Sequence, residues 1–404
     1  MKKEYYGHVL LFTLVYGAMG SLAPLIGQYL KGIGFTGTQI GSVTATGTFV
    51  SIFAITFWGN IYNHSHNKRR VVALVYFMAG IAGLSLMGIR QYMIFLLLFG
   101  AVYFFQSATL PLLDAMTLEN RQPFGQVRKW GAIGYALSVF LAGKLATQLG
   151  NSIIFPMFCI AFMIAICALY LFMGKGKCAH DLYDCSKDEI EIDFQEIVPQ
   201  EKGILKNRKA YVELLHNKHY ILLLIATFFV GGTNIANNTY FSFLYIEAGG
   251  TLAGMGGTFL LMVGSEALMM AFVEKIERLI TLEKLIVIAM AIAALRYFFY
   301  STGPTPGMLI ATCFLQGIVN GIILVEIVKE IGLIVKPHML GIAVSVYHAI
   351  CSNSSAILCQ FVGGVILDRS GATSVYLFFA VLNIIGVILY LAFRLHKYEV
   401  STKC

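Results

Sequence analysis

The sequence is poor in charge. Asp, Glu, Lys and Arg together make up 12% of its 404 residues, whereas hydrophobic residues make up 58% and the mean hydropathy is +0.75. A soluble protein of this size needs more charge to cover its surface, but a lipid-facing surface is satisfied by apolar side chains alone. The composition therefore excludes a soluble protein and predicts a multi-pass protein of the cell membrane.

Several chemical signatures are also missing. No GxxxxGK[ST] loop is present, which argues against an ATP-driven pump. The apolar runs hold neither a nucleophile–base set nor a metal-ligand spacing, so we expect no enzyme, no metal and no cofactor. The net charge of +8 does not indicate nucleic-acid binding, because most Lys and Arg residues lie in short stretches between apolar runs.

The eight cysteines are scattered and do not form the framework of a disulfide-rich protein. Five lie inside apolar runs, and three lie in segments that we assign to the cytoplasm: Cys178, Cys185 and Cys404. We expect reduced thiols. The first apolar run begins a series and is not interpreted as a signal peptide.

Twelve apolar runs are long enough to cross about 30 Å of hydrocarbon as helices. They lie near 8-30, 39-61, 70-89, 92-114, 128-149, 153-174, 219-246, 254-274, 283-302, 305-332, 338-366 and 374-395. Most basic residues between the runs fall on the side of the N-terminus, which places both termini in the cytoplasm. We predict a six-helix bundle at 1-174, a solvated cytoplasmic linker at 175-218 and a second six-helix bundle at 219-404.

Two segments of the chain occur twice in outline. Residues 28-41 resemble residues 244-257, and residues 142-158 resemble residues 363-379. The glycines pair as Gly34 with Gly250, Gly41 with Gly257, Gly143 with Gly364 and Gly150 with Gly371. Each offset is about half the chain, which predicts duplicated, pseudo-symmetric halves with a substrate path between them.

A few ionisable residues fall inside the apolar runs, where a charge is costly unless it is paired or wetted. Asp114 ends the fourth run and Arg128 opens the fifth, so the two can meet across a short turn. The alternative is a structural salt bridge that anchors this hairpin. Glu266 lies in the middle of the eighth run, where a carboxylate either stays protonated or pairs with a cation. We expect Glu266 to exchange a proton, with Arg296 of the ninth run as its partner.

Glu326 of the tenth run is a second candidate for proton exchange. Lys329 follows it three residues later, so a simple helical ion pair is the alternative. Amide side chains that can donate and accept hydrogen bonds suit a hydroxyl-rich ligand. They are Asn234, Asn237, Asn238, Gln316 and Asn320. Tyr135 lies two turns beyond Arg128, where it can form an aromatic platform or simply pack in the core.

At these residues the chain resembles the major facilitator superfamily, in the branch of the lactose permease and related oligosaccharide:proton symporters. The resemblance covers nearly the whole chain and is sharpest in PLLDAM and FGQVRKWGAIGY. It implies that Asp114 and Arg128 bind sugar hydroxyls and that Tyr135 stacks on the sugar ring. It also implies that Glu266 contacts the sugar and couples to the proton, together with Arg296.

The segment GNIYNHSHNKRR (59-70) resembles the superfamily's cytoplasmic gating loop. The residues concerned are Gly59, Asn63, Lys68, Arg69 and Arg70. Asn63 stands where the family has an aspartate, and Gln316 takes the place of the permease's tenth-helix histidine. Asparagines also replace the seventh-helix aspartates, so the C-terminal half is more similar to the phenylpropionate permease group of the same branch.

These observations predict an all-α membrane protein of twelve transmembrane helices that imports a small polar solute, a sugar or glycoside, together with protons. We expect a monomer whose partners are its substrate, protons and the lipid bilayer. A uniporter or exporter of amphipathic compounds, aromatic acids or nucleosides is the alternative, and uptake that ignores a proton gradient would favour it.

Overall fold

The computed structural model describes residues 2–172, 212–277, 279–336 and 339–393, which are helical almost throughout. The helices are α1 (Lys2–Leu22), α2 (Ile26–Gly32), α3 (Gly37–His64), α4 (Lys68–Ser85), α5 (Tyr92–Glu119), α6 (Phe124–Leu149), α7 (Ile154–Phe172), α8 (Lys218–Glu247), α9 (Gly254–Glu277), α10 (Leu282–Ser301), α11 (Pro306–Ile334), α12 (Leu340–Tyr347) and α13 (Ser355–Ala392). The π-helical segment His348–Ser354 joins α12 to α13. Helices satisfy backbone hydrogen bonds within the segment, which hydrocarbon requires. Most of the predicted linker, and Cys178, Cys185 and Cys404, lie outside the described residues.

Eight helical segments of the described chain are long and apolar enough to cross a membrane, judged by length and composition. Large apolar side chains point outward from several of them, and Leu97 and Leu171 are 72% and 68% exposed. The predicted runs 70-89, 254-274 and 283-302 are also largely helical but are not among the eight. The last two predicted runs form one long segment that bends at Gly371, whose φ is +79°.

The helices pack mainly within two sets, which we call the N-terminal half (residues 2–172) and the C-terminal half (residues 212–393). In the first, α1 contacts α6 and α7, while α5 contacts α3 and α4. In the second, α13 contacts α8 and α10, while α11 contacts α9 and α10. The halves meet where α3 lies against α13, α6 against α9, and α2 against α8.

The duplication is visible in the backbone, but the register of its first repeat differs from the prediction by one residue. Gly34 has φ +96°, and the glycine with the matching conformation is Gly249, at +92°, not Gly250. Phe35 donates to the carbonyl of Leu30 at the end of α2, just as Gly250 donates to the carbonyl of Tyr245 at the end of α8. The predicted pairing of Gly34 with Gly250 is therefore wrong by one position.

The same shift applies further along the repeat. Thr36 caps α3 by accepting from Gln39, and Thr251 accepts from the amide of Gly254 at the start of α9. The structural partner of Gly41 is thus Gly256 and not Gly257. The second repeat is in the predicted register, because Gly150 and Gly371 both have a positive φ.

Four of these glycines bring the halves together. A Cβ on Gly143 would fall on the carbonyl oxygen of Leu252, and one on Gly364 would fall on the carbonyl oxygen of Gly37. A Cβ on Gly41 would likewise meet the backbone of Gln360, and one on Gly256 the backbone of Phe140. The first two contacts are equivalent under the duplication, and so are the last two. Each half therefore uses the same surfaces to contact the other. Glycine is needed here because only it lets the helices approach so closely.

Candidate functional site

An ion pair lies at the inner face of the N-terminal half. Arg128, near the start of α6, lies 3.8 Å from the carboxylate of Asp114, on α5. Its guanidinium also donates to the hydroxyl of Tyr16 on α1 over 3.3 Å and lies 5.3 Å from the ring centre of Phe124. The predicted meeting of Asp114 and Arg128 is thus present. The pair is not fully satisfied, since the second carboxylate oxygen of Asp114 is buried without a hydrogen-bond partner in the described structure.

Tyr16 was not anticipated from the sequence, where it looks like any aromatic residue in an apolar run. The signal lay in two glycines of the facing helix. Gly131 leaves no room for a Cβ against the Tyr16 ring, and Gly134 leaves none against the backbone of Thr13. These glycines let α1 approach α6 closely and so bring the hydroxyl of Tyr16 to Arg128.

Glu266 faces this pair from the other half. It lies in the middle of α9, the helix that contacts α6, and its carboxylate and the Arg128 guanidinium attract each other electrostatically. The carboxylate accepts a hydrogen bond of 3.2 Å from the amide of Asn320 on α11. The structure therefore places two carboxylates from different halves within electrostatic reach of one cation, and Asp114 is the one that forms an ion pair with it.

A chain of amides continues from Glu266 into the C-terminal half. Asn234 donates to the amide oxygen of Asn320 over 2.6 Å, and Gln316 donates to both Asn234 and Asn320. The side-chain oxygen of Gln316 is buried and has no hydrogen-bond partner among the described residues. These predicted amides form one network on α8 and α11 and retain an acceptor for a ligand.

Asn237 and Asn238 occupy different environments. Asn237 is buried and accepts a hydrogen bond of 2.8 Å from the hydroxyl of Tyr376. Asn238, next to it on α8, is partly exposed. Tyr135 lies edge-to-face with Phe259 of the other half, at 5.8 Å between ring centres. The ring that Arg128 lies over is that of Phe124. Tyr135, the predicted aromatic platform, lies further along α6, where this helix contacts α9.

Arg296 does not pair with Glu266 as expected. Its guanidinium lies 4.6 Å from the ring centre of Tyr297 and 5.2 Å from that of Tyr300. Among the described residues, no ion pair includes it. It lines a small cavity with Asn237, Phe241, Thr258, Phe259, Met262, Cys313 and Gln316.

Glu326 lies away from this cluster, six residues beyond Asn320 and roughly 9 Å further along α11. It is fully buried and accepts a hydrogen bond of 3.2 Å from Lys329, which also pairs with Glu277 at 2.6 Å. The helical ion pair considered from the sequence is therefore present. Glu330, one turn on, was not singled out; it is buried and accepts from the hydroxyl of Tyr390 over 2.8 Å.

The predicted gating residues lie around the turn between α3 and α4. Gly59 and Asn63 belong to the last turns of α3, and α4 begins at Lys68. Lys68 pairs with Glu119 at 2.5 Å. Arg69 lies 4.2 Å from the ring centre of Tyr170, and Arg70 is exposed.

The halves are held together at the opposite end of the helices. We call the end with the turn at residues 33–36 the distal end, and the end with the turn at residues 65–67 the proximal end. Near the distal end Gln28 donates to Ser242 over 3.2 Å, and Asp368 accepts from Thr38. Deeper along α3, Thr48 donates to the side chain of Gln360 over 3.0 Å.

The described ion pairs of the proximal end stay within one half, as Lys68 with Glu119 and Lys336 with Glu213 do. The cross-half hydrogen bonds and close glycine contacts instead involve the distal parts of α2, α3, α6, α8, α9 and α13. The site formed by Asp114, Arg128 and Glu266 thus lies between halves that are sealed distally.

This arrangement can bind a polar solute between the two halves. A family model described as MFS_1 like family matches residues 7–378. The chain belongs to the MFS_1 like family. It is a transporter of the major facilitator type and a multi-pass protein of the cell membrane, and it is not an enzyme.

Members of related sequence include two bacterial transporters. The uncharacterized transporter YwbF of Bacillus subtilis is 28% identical over 372 residues, which cover 91% of this chain and 88% of that protein. The maltose permease of Geobacillus stearothermophilus is 28% identical over 387 residues, which cover 95% of this chain and 92% of that protein. This family and these relatives agree with the resemblance to sugar permeases of the major facilitator superfamily.

The fold of this MFS_1-like chain is also similar to that of solved transporters. The crystal structure of the nucleoside transporter NupG matches it with a TM-score of 0.82, covering 98% of this chain and 100% of the other. The two sequences are 15% identical, so this likeness concerns the fold alone.

Proposed function

We propose that the protein is a proton-coupled importer of a sugar or glycoside that works by alternating access. One observation carries the proposal: Glu266 faces the Asp114–Arg128 pair across the boundary between the halves. A site shared by both halves is exposed to one side or the other when the halves rock. The family relationship to a maltose permease supports a sugar as the solute.

In this proposal Asp114 and Arg128 bind hydroxyl groups of the sugar, because a charged pair offers both a strong acceptor and a fork of donors. Asn237, Asn238, Gln316 and Asn320 offer further hydrogen bonds from the other half. Tyr135 contributes an aromatic surface at the boundary, where it already contacts Phe259.

Glu266 is the group that takes up the proton. In its charged form it is attracted by Arg128 and hydrogen-bonded by Asn320. Protonation removes that attraction, and substrate can then draw Arg128 toward itself. Glu326 is the proposed second titrating group, and Arg296 is the proposed cation of the coupling set.

We further propose twelve transmembrane helices in two six-helix bundles, 1-174 and 219-404, joined by a cytoplasmic linker at 175-218. Both termini would lie in the cytoplasm, which makes the proximal end cytoplasmic and the structure inward-facing. The gating residues at 59-70 would then seal the cytoplasmic side when the distal end opens. The functional unit would be a monomer.

The test is uptake into proteoliposomes by the purified full-length protein. The panel comprises labelled maltose, glucose, uridine and phenylpropionate, each with and without an inward proton gradient. We expect sugar to accumulate only with the gradient and the accumulation to collapse with an uncoupler. Equal uptake with and without the gradient would refute coupling and leave a facilitator, while accumulation of uridine or phenylpropionate alone would refute the substrate class.

A further inference from the structure

Arg296 is a buried cation for which the described residues supply no ion-pair partner. Its side chain is 3% exposed, and none of the ion pairs among the described residues includes it. The titratable groups that act on the guanidinium are Tyr297, Tyr300, Tyr376 and Cys313, all of them neutral near pH 7. A charge buried in this way is costly unless something neutralises it.

The unused donors of Arg296 lie on one edge of its guanidinium. Nε and Nη2 are both buried and have no hydrogen-bond partner in the described structure. The N–H groups of these two nitrogens point the same way and can donate to the two oxygens of a carboxylate in parallel hydrogen bonds. The guanidinium carbon lies over the rings of Tyr297 and Tyr300, and the edge with Nε and Nη2 is the part that lacks a partner among the described residues.

The neighbouring side chains supply the rest of a binding site. The hydroxyls of the surrounding tyrosines are already engaged, since Tyr297 donates to the carbonyl of Thr233 and Tyr376 donates to Asn237. Asn237 uses its oxygen in that bond, so its Nδ2 remains as a further donor beside Arg296. The unpaired oxygen of Gln316 is an acceptor in the same cavity.

The cavity shares lining residues with the network of the proposed transport site. Gln316 lines it and also donates to Asn320, which in turn holds Glu266. Phe259 lines it and contacts Tyr135 of the other half. A ligand group on Arg296 would therefore belong to a solute that occupies the site between the halves.

We propose that Arg296 binds a carboxylate of the transported solute, which makes the solute a sugar acid. This inference rests on the proposed function as a sugar importer. Two parallel bonds from Arg296 and one from Asn237 hold the carboxylate, and Gln316 accepts from an adjacent hydroxyl. A neutral sugar would leave the buried cation uncompensated and is the poorer substrate.

The experiment compares neutral sugars with their own acids in proteoliposomes of the full-length protein. The matched pairs are glucose with glucuronate and maltose with maltobionate, each in chloride and in chloride-free medium. We expect each acid to be taken up at least about tenfold better than its neutral partner, because hydrogen bonds to an ionised group are strong. Uptake of both neutral sugars at the higher rate would overturn the inference and leave the proposed function intact.

Two variants assign the preference to Arg296. Arg296→Gln removes the charge and should abolish the preference for acids, measured as the ratio of acid exchange to neutral-sugar exchange across the membrane without a proton gradient. Arg296→Lys keeps the charge but lacks the fork, and should retain a reduced preference. An unchanged acid preference in Arg296→Gln would overturn the proposal. If that variant fails to elute as a single species on size exclusion, the wild-type pairs and Arg296→Lys still decide.

The comparison of chloride with chloride-free medium shows whether Arg296 binds a carboxylate of the substrate or a free anion. Neutral-sugar uptake that requires chloride, with the requirement lost in Arg296→Gln, would place a free ion on Arg296 and overturn the sugar-acid assignment. Lack of uptake of every sugar and sugar acid would instead refute the proposed function, and this inference with it.

Discussion

Asp368 caps the helix that begins at Gly37. Its carboxylate accepts from the amide of Gly37, and from the amide and hydroxyl of Thr38 at 2.7 and 2.6 Å. The first amides of a helix have no partner within the helix, and the N-terminus favours a negative charge. Because Asp368 lies on α13 and Gly37 on α3, this cap joins the two halves at the distal end.

The cap predicts that Asp368→Asn shifts the protein toward a distally open state. Loss of the charge removes about 1.5 kcal/mol or more from the closed state, which changes the open-to-closed ratio roughly tenfold. Electron–electron resonance between spin labels at exposed positions of the distal end, Leu149 and Ser370, measures the shift in a background without native cysteines. Arg369→Gln is the control, since Arg369 is an exposed neighbour outside the cap. An unchanged distance distribution in Asp368→Asn would show that the cap does not hold the distal end closed.

Two adjacent glycines of α9 should respond in opposite ways to a single methyl group. A Cβ on Gly256 would collide with the backbone of Phe140, whereas one on Gly257 would meet nothing within 4 Å. Gly256→Ala should therefore destabilise the distally closed state by about 1–3 kcal/mol, while Gly257→Ala should be neutral or stabilise the helix by up to about 1 kcal/mol.

Thermal unfolding in detergent, together with the same pair of spin labels, distinguishes these glycine variants. A lower unfolding temperature or a wider distal distance is expected for Gly256→Ala alone. If both variants behaved alike, the close approach of α6 and α9 would not be what requires glycine.

Removal of the central cation should abolish transport. Arg128→Gln leaves the carboxylates of Asp114 and Glu266 facing each other without compensation, and it removes the donors proposed to bind the solute. We expect uptake to fall at least about tenfold, since the variant loses charge-assisted hydrogen bonds to the solute that are worth about 1.5 kcal/mol or more. Lys129→Gln, at an exposed neighbouring position, is the matched control and should retain uptake. Similar rates for both variants would remove Arg128 from the binding site.

Glu266→Gln should separate binding from coupling. The amide has the shape of the protonated acid and cannot lose a proton, while it can still accept from Asn320. We expect exchange of labelled for unlabelled solute across the membrane to persist and proton-driven accumulation to disappear. Accumulation at the wild-type level would assign the proton to another group, with Glu326 the next candidate.

The charged part of the site could be predicted because charges are rare inside the apolar runs. Asp114, Arg128 and Glu266 stand out against their sequence, and the structure brings them together. The placement of Arg296 could not be predicted in the same way. Whether it meets Glu266 or the rings of Tyr297 and Tyr300 depends on how α9 and α10 are rotated, and the side-chain pattern of a helix apolar on all sides does not fix that rotation.

The contacts of the aromatic residues and the pairing of the glycines were harder to predict from the sequence, because both depend on packing. Tyr16 and Tyr135 look alike in the sequence, but only packing shows that one bonds Arg128 and the other contacts Phe259. The first repeat was placed one residue too late because glycines occur in pairs, at 249-250 and at 256-257. Either member fits the pattern, and only the backbone torsion or the close contact identifies the equivalent one.

The paired glycine contacts have a consequence for the origin of the chain. The carbonyl of Leu252 packs closely against Gly143, and the carbonyl of Gly37 packs closely against Gly364. Each half thus contributes one glycine and one carbonyl to an equivalent pair of contacts. Such reciprocal surfaces are those of a homodimer with a two-fold axis. The ancestor of one half could have assembled with a second copy of itself through these surfaces. The molecule has the geometry of a two-subunit protein whose subunits became joined in one chain.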